Sequence, residues 1–180
     1  MAIKIKRVVW DSCVVIDAIQ ATPERWERIE PFAKEAEAGR LQIVISEVNV
    51  AEILHLKRLG DGGMTIENQV ALIRQWLMNP YIVRRPVHRG ISELAAEIGR
   101  KYGVKGAADC IVVATAIDEG IEIIHSFDGD RDKTSHRKLL NFDGRIGSPP
   151  LRITVPDFLA STIFENDSPN PPERSARDTE

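Results

Sequence analysis

The chain has 180 residues, enough for one domain with a substantial core and too few for two, and its 43% hydrophobic and 28% charged residues are ordinary for a globular protein. No apolar run approaches the ~18 residues that a membrane span requires, and the first residues lack the cleavage site of a signal peptide, so we expect a cytoplasmic protein. The net charge of −3 excludes binding to nucleic acid by bulk electrostatics, so any such binding needs a local basic patch.

Apolar runs and capping residues divide the chain into alternating strands and helices. Thr22 with Pro23 and then Ser46 stand before stretches of helical apolar spacing, while Gly39 and Gly103 follow such stretches. In chain order the predicted elements are a strand at 8–10, a helix at 23–38, a strand at 41–45, helices at 47–59 and 65–78, a strand at 81–83, helices at 91–102 and 107–117, a strand at 121–127, a basic helical stretch at 131–138, an edge strand at 151–155 and a turn of helix from 156.

This alternation predicts an α/β fold with a doubly wound, mainly parallel sheet that helices cover on both faces. Residues 165–180 are polar and proline-rich, and they hold the excess of negative charge. We expect this segment to be a disordered tail. Cys13 and Cys110 form neither a disulfide framework nor a zinc-binding pattern, and we interpret both as buried small side chains.

Several carboxylates follow predicted strands or lie in otherwise apolar helix faces. Taken singly, Asp109 suits a helix N-terminus and Asp128 or Asp130 suits a turn, while Asp17 and Asp157 are expected to be cap or surface acids. The set that stands at strand ends and in the adjoining helices consists of Asp11, Glu52, Asp109 and Asp128, with Asp130 two residues after the last.

Strand ends and the helix starts beside them share one edge of a doubly wound sheet, so three or four of these acids can converge there. Converging carboxylates raise one another's pKa unless they share a cation. Oxygen ligands without a nearby cysteine or a histidine pair suit Mg²⁺ or Mn²⁺ and do not suit zinc. Such a cation polarises phosphoryl oxygens and lowers the pKa of a bound water, so the pattern favours hydrolysis of a phosphate ester.

The segments around the acids resemble the four motifs of PIN-domain nucleases. Residues 9–17, Val-Trp-Asp-Ser-Cys-Val-Val-Ile-Asp, are similar to the opening hydrophobic-Asp-Thr/Ser-Ser/Cys-hydrophobic motif, although Ser12-Cys13 replaces the commoner Thr-Ser. Residues 45–54 resemble the second motif, residues 107–116 the third and residues 124–130 the fourth. The resemblance runs from about Val8 to Leu159, and four motifs in the family's order are more specific than any one of them.

The resemblance implies an α/β/α sandwich in a single domain of residues 1–164. It also implies a Mg²⁺- or Mn²⁺-dependent ribonuclease of the kind found as the toxin in bacterial VapBC toxin–antitoxin pairs, which hydrolyses RNA with a metal-activated water. The carried-over roles are catalysis and metal binding for Asp11, Glu52, Asp109 and Asp128, auxiliary metal binding for Asp130, and orientation of these groups for Ser12 and Ser126. For His125, which precedes the fourth motif, we favour a packing role.

The implied partners are a single-stranded or structured RNA, a second copy of the chain in a homodimer, and a cognate antitoxin whose inserted segment, often bearing an arginine, blocks the acidic site. No base preference can be deduced from spacing. Basic residues that would hold flanking phosphates, or that simply form a solvated face, are Arg84, Arg85, Arg89, Arg131, Lys133, Arg137 and Lys138.

Other phosphate-handling classes fit less well. A haloacid-dehalogenase-type phosphatase needs a second Asp two residues after the first, where this chain has Cys13, and a receiver domain needs paired acids and a late lysine that are not evident. Neither glycine-rich nucleotide-binding motif is present. Two alternatives remain open, a stand-alone RNA-processing PIN nuclease and a PIN-like module that binds RNA or a protein without cleaving.

Overall fold

A single parallel sheet forms the centre of the computed structural model, which describes residues 5–55, 65–130 and 138–158. The order across the sheet is β3-β2-β1-β4-β5, and every neighbouring pair is parallel, as the sequence predicts. The chain builds outward from β1 in one direction through β2 and β3 and in the other through β4 and β5, so the topological switch point lies between β1 and β4. The strands are β1 (Lys6–Trp10), β2 (Leu41–Ser46), β3 (Ile82–Arg85), β4 (Ile123–His125) and β5 (Arg152–Thr154).

Helices cover both faces of this sheet and complete an α/β/α sandwich. In the described ranges they are α1 (Ser12–Gln20), α2 (Pro23–Glu37), α3 (Glu47–His55), α4 (Ile66–Leu77), α5 (Arg89–Tyr102) and α6 (Ala107–Asp118), with a 3₁₀ helix at Leu139–Phe142. Because side chains alternate along a strand, Val8 and Trp10 of β1 pack with α1, α2, α3 and α4, while Val9 packs with α5 and α6. None of these helices has both the length and the apolar character needed to cross a membrane.

The sequence predicts no helix between Asp11 and Thr22, and this is wrong because α1 occupies most of that interval. The β-branched run Val14-Val15-Ile16 favours a strand by propensity. In the fold, however, Asp11 accepts a hydrogen bond from the backbone N–H of Ser12 at the start of α1, and Val14 and Val15 are fully buried. Tertiary packing and the acid at the helix start therefore override the local preference.

Asp17 also departs from the expectation of a cap or surface acid. It is buried, with 6% of its surface exposed. Its carboxylate accepts a hydrogen bond from Thr22 Oγ1 at 2.8 Å and pairs with Arg25 Nη1 at 2.5 Å. The Thr22 hydroxyl, predicted to cap α2, makes no side-chain cap hydrogen bond and instead joins α2 to α1.

Several predicted elements are shorter in the fold. The strand predicted at 121–127 is regular only over β4, and residues 155–158 contain no helix. The helix predicted to reach residue 59 is described as far as His55. The basic stretch at 131–137 and the segment 159–180 lie outside the described residues, so the predicted basic helix, the domain boundary at 164 and the disordered tail stay predictions.

Candidate metal centre

Asp11 lies at the carboxyl end of the central strand β1, where α1 begins. Its backbone N–H donates to the carbonyl of His125 at 3.0 Å, which joins the ends of β1 and β4. Only 5% of the residue is exposed. A carboxylate buried to this extent requires hydrogen-bond donors or a cation around it.

Neutral donors surround the Asp11 carboxylate, among them the Ser12 hydroxyl at 3.4 Å from Oδ1. The backbone N–H of Ser12 donates to Oδ1 at 2.7 Å, and the Asn49 amide donates to the same oxygen at 3.3 Å. The Ser126 hydroxyl donates to Oδ2 at 2.8 Å, and the Cys13 thiol lies 3.3 Å from that oxygen. The negative charge is therefore stabilised by hydrogen bonds from these groups but is not neutralised by them.

Ser126 connects two of the predicted site acids. Its hydroxyl donates to Asp11 and accepts a hydrogen bond from the backbone N–H of Asp128 at 2.9 Å. The sequence suggested that Ser126 orients the side chain of Asp128. In the fold the Ser126 proton goes to Asp11, and the link to Asp128 runs through its backbone.

Cys13 occupies the position where the resemblance suggests a hydroxyl. Burial and the nearby charge of Asp11 raise the pKa of its thiol far above the usual range. The sulfur also accepts a hydrogen bond from the backbone N–H of Phe127 at 3.2 Å. Cys13 is therefore a protonated donor that helps to fix the loop after β4, and it is not a reactive thiolate.

His125, which precedes the fourth motif, is a core residue. It is 1% exposed, and its ring packs edge-on against Phe32 of α2 with centroids 4.6 Å apart. Burial lowers the pKa of His125 to about 3, so the imidazole is neutral at physiological pH. These contacts agree with the packing role favoured from the sequence.

Helix α3 contributes Glu52 and, one turn earlier, Asn49. The pKa of Glu52 is raised, chiefly by burial, and the negative charge of Asp11 acts in the same direction. Hydrogen bonds from Ser12 and Asn49 act in the opposite direction. Asn49 was not predicted as a site residue, and its one sequence signal is that a polar side chain stands among the buried positions of this helix.

Asp109 lies in the first turn of α6, where the third motif predicts an acid. Its pKa is raised to about 6, first by burial and then by the negative charges of Asp11, Asp128 and Glu52, while Lys138 acts in the opposite direction. The four predicted metal-site acids are thus close enough to act on one another electrostatically. The fold brings them together at the switch point.

Asp128 already has partners in the folded chain. Lys138 Nζ lies 2.8 Å from one carboxylate oxygen, and the backbone N–H of Leu139 donates to the other at 3.0 Å. Asp130 is placed differently, because its carboxylate faces Arg28 of α2 at 3.5 Å and it is not among the charges that raise the pKa of Asp109. Lys138 is therefore a cation built into the site.

The arginines predicted to bind RNA are engaged in ion pairs. Arg84 binds the Glu47 carboxylate with two hydrogen bonds of 2.9 Å each, and Arg85 pairs with Glu119 at 2.6 Å. A phosphate would have to compete with these carboxylates. The RNA-binding assignment stays a prediction for both, and Arg131, Lys133 and Arg137 lie outside the described residues.

The donor set suits a hard divalent cation, although it is not closed around one. Within residues 5–55, 65–130 and 138–158, no group of three or more His, Cys, Asp or Glu side chains is arranged so that it could hold a metal ion. The acids are nevertheless coupled, and beside them the amide oxygen of Asn49 is buried without a hydrogen-bond partner in the described part of the chain. This combination fits Mg²⁺ or Mn²⁺ that keeps part of its water shell.

Known proteins share the sequence pattern and the fold of this chain. The model of one family, the PIN domain, matches residues 8–137. One similar structure is VapBC2 from Rickettsia felis, solved in complex with a DNA fragment from the VapBC2 promoter. It is 17% identical over 71% of this chain and 92% of that chain, with a TM-score of 0.50. VapC20 from Mycobacterium tuberculosis, described as a Sarcin-Ricin loop cleaving toxin, is 14% identical over 68% and 91%, with a TM-score of 0.54. These likenesses show a shared fold, and no curated protein matches the chain.

Proposed function

Because the chain belongs to the PIN-domain family, we propose that it is a Mg²⁺- or Mn²⁺-dependent endoribonuclease of the VapC toxin type. The observation that carries this proposal is the electrostatic coupling of Asp109 to Asp11, Glu52 and Asp128 at the switch point of the sheet. Asp11 is buried and Asp109 and Asp128 are half-buried. Like charges that are partly withdrawn from water destabilise one another, so their grouping favours a bound cation.

Asp11, Glu52, Asp109 and Asp128 would hold the cation, directly or through water. Bound there, it would polarise the phosphate and supply an activated water. The neutral donors around Asp11 fix that carboxylate, and a bound cation would displace the proton that Asp109 retains below about pH 6. Lys138 beside Asp128 places a positive charge where the developing charge of a phosphate can be stabilised.

The hydroxyl and thiol groups at the site are poor candidates for a protein nucleophile. Both serine hydroxyls, of Ser12 and Ser126, already donate to Asp11, and Ser126 is fully buried. The raised pKa of Cys13 keeps its thiol protonated. Water is therefore the nucleophile that this proposal requires.

RNA is the proposed substrate because of the motif resemblance and because VapC20, which shares the fold, is described as a Sarcin-Ricin loop cleaving toxin. The acidic centre also suits an antitoxin that inserts an arginine, since a guanidinium binds carboxylates with charge-assisted hydrogen bonds. A stand-alone RNA-processing enzyme would use the same residues without such a partner.

A module that binds without cleaving is a second candidate, and one observation favours it. Both oxygens of Asp128 are engaged by Lys138 and Leu139, so this acid would have to change partners before it could bind a cation directly. The two candidates differ in a simple measurement, which is cleavage of RNA.

The test incubates the purified protein with a mixed RNA pool in Mn²⁺, in Mg²⁺ and in EDTA. We expect cleavage with either cation, none in EDTA, and a loss of at least about 100-fold in Asp11→Asn, which keeps the shape of the side chain but removes its charge. Asp118→Asn, at an exposed acid beside His88, is the matched control and should cleave like wild type. Cleavage by Asp11→Asn at the wild-type rate, or none by wild type with either cation, would contradict the nuclease proposal.

A further inference from the structure

Asn49 of α3 lies between two of the site acids. Its amide nitrogen donates to Asp11 Oδ1 at 3.3 Å, and a side-chain hydrogen bond from Asn49 acts to lower the pKa of Glu52. An ionised carboxylate only accepts hydrogen bonds, so the two N–H bonds of a single amide group serve two carboxylates from different parts of the chain. The Asn49 amide therefore bridges the end of β1 and the helix α3.

Among the described residues, the oxygen of this amide has no hydrogen-bond partner. Asn49 is fully buried, and its oxygen Oδ1 accepts no hydrogen bond from the part of the chain that the structure describes. Buried polar atoms in folded proteins are almost always paired, and an exception calls for a bound water or ion. The unpaired oxygen belongs to the same side chain that touches both acids.

Helix formation and packing do not explain an asparagine at this position. Asparagine is a weaker helix former than alanine or leucine. Val50 and Ile53 of the same helix are buried in the apolar core, so an apolar side chain would suit a position with packing alone as its role. In the described residues, the hydrogen-bond partners of the Asn49 amide are the carboxylates of Asp11 and Glu52.

We propose that Asn49 is a positioning residue of the metal centre. Its N–H groups hold the carboxylates of Asp11 and Glu52 at a fixed spacing, and its oxygen accepts a hydrogen bond from a water of the bound cation. This inference rests on the proposed function, because it assigns a role to Asn49 at the same site.

Loss of the amide removes the shared donor, and the two carboxylates are then free to move apart. Groups that orient metal ligands typically change metal affinity by about 10- to 100-fold when they are removed. We therefore expect Asn49→Ala to raise the dissociation constant for Mn²⁺ by about 10-fold or more, as measured by calorimetry. An unchanged dissociation constant would overturn the inference.

Thr115→Val is the control for loss of a buried polar contact. Thr115 is fully buried in α6, and its hydroxyl donates to the carbonyl of Ile111 at 2.8 Å without contacting the acids. This variant should melt at a lower temperature than wild type and bind Mn²⁺ with the wild-type dissociation constant. A matching loss of Mn²⁺ affinity in Thr115→Val would assign the effect of Asn49→Ala to general destabilisation and overturn the inference.

Asn49→Asp tests the hydrogen bonds of the amide separately from its volume. It also tests the inference if Asn49→Ala does not fold. The new side chain has the same shape, but at about pH 8 it lacks both donors and adds a charge beside Asp11 and Glu52. We expect a melting temperature below wild type without metal and a larger upward shift with Mn²⁺. If Asn49→Asp without metal melts at the same temperature as wild type, the proposed bridge between Asp11 and Glu52 is wrong. Absence of Mn²⁺ binding by wild type would instead overturn the proposed function, and this comparison of metal-free variants would still test the bridge.

Discussion

Ser126 Oγ donates a 2.8 Å hydrogen bond to Asp11 Oδ2 across the ends of neighbouring strands β4 and β1. The same hydroxyl accepts the backbone N–H of Asp128. One fully buried side chain thus ties the carboxylate of the first site acid to the backbone of the last. The geometry of the centre therefore depends on a residue that is itself fully buried and has no surface open to a substrate.

Ser126→Ala should destabilise the fold as well as the site. The change leaves a buried carboxylate oxygen and a backbone N–H each without one partner, which costs about 1–3 kcal/mol. Urea unfolding of the metal-free protein measures this loss. Ser92→Ala, at an exposed serine whose hydroxyl donates to the carbonyl of His88, is the control and should stay within about 0.5 kcal/mol of wild type. Equal stability of Ser126→Ala and wild type would contradict the described hydrogen bonds.

Gly106→Ala should displace the Asp109 carboxylate while the fold is kept. A Cβ at Gly106, just before α6, would lie 2.3 Å from Asp109 Oδ2, although the backbone there has an ordinary negative φ of −76°. The Asp109 side chain can avoid this contact by changing rotamer at little energetic cost. The substitution should therefore move the carboxylate without unfolding the protein. We expect a near-wild-type circular dichroism spectrum and a smaller rise in melting temperature with Mn²⁺.

Gly99→Ala is the matched control for that substitution. Gly99 lies inside α5, and a Cβ there would make ordinary contacts with Cys110 and Val104 at 3.4 and 3.5 Å. This variant should keep the full Mn²⁺-dependent shift. If Gly106→Ala keeps it as well, Asp109 does not have to occupy its present position to bind the cation.

Lys138→Met should make the thermal stability of the protein depend more strongly on an added cation. The Lys138 ammonium pairs with Asp128 and lowers the raised pKa of Asp109, so its removal increases repulsion among the acids. At about pH 8 we expect a lower metal-free melting temperature than wild type and a larger upward shift with Mn²⁺. Lys105→Met, at an exposed lysine, should behave like wild type. A smaller Mn²⁺ shift in Lys138→Met would show that Lys138 supports cation binding and does not compete with it.

The parallel sheet and the positions of the acids could be predicted from sequence because both depend on local pattern. Apolar runs placed Asp11 and Asp128 at strand ends, and the doubly wound topology then required those ends to meet. The helix α1 could not be predicted, because its β-branched residues are stabilised by burial between elements far apart in the chain. Asn49 was missed as a site residue, and Lys138 was predicted only as a phosphate-binding residue and not as the partner of Asp128, because each contacts an acid that lies at a distance in sequence.

Asp109 should make the metal-free protein less stable as the pH rises. Its pKa is about 6 in the folded chain against an ordinary value of 3.8, so between these values the folded state binds more protons than the unfolded state. By linkage, the free energy of unfolding then falls as the pH rises through this window. The contribution of Asp109 is fully present below about pH 4 and is lost above about pH 6.

Asp109→Asn removes this dependence, because an amide neither titrates nor repels the neighbouring acids. Without metal, the variant should melt at a higher temperature than wild type at about pH 8, and the difference should shrink as the pH falls towards about 4. Mn²⁺ has to displace the Asp109 proton, so the wild-type Mn²⁺ shift should be larger at about pH 7.5 than at about pH 5.5, whereas the variant should show little shift at either pH. Thermal melting across this pH range, with Asp118→Asn as the control for loss of an exposed charge, measures both effects. A difference between wild type and Asp109→Asn that stays constant with pH would mean that Asp109 is not the group whose protonation stabilises the empty centre.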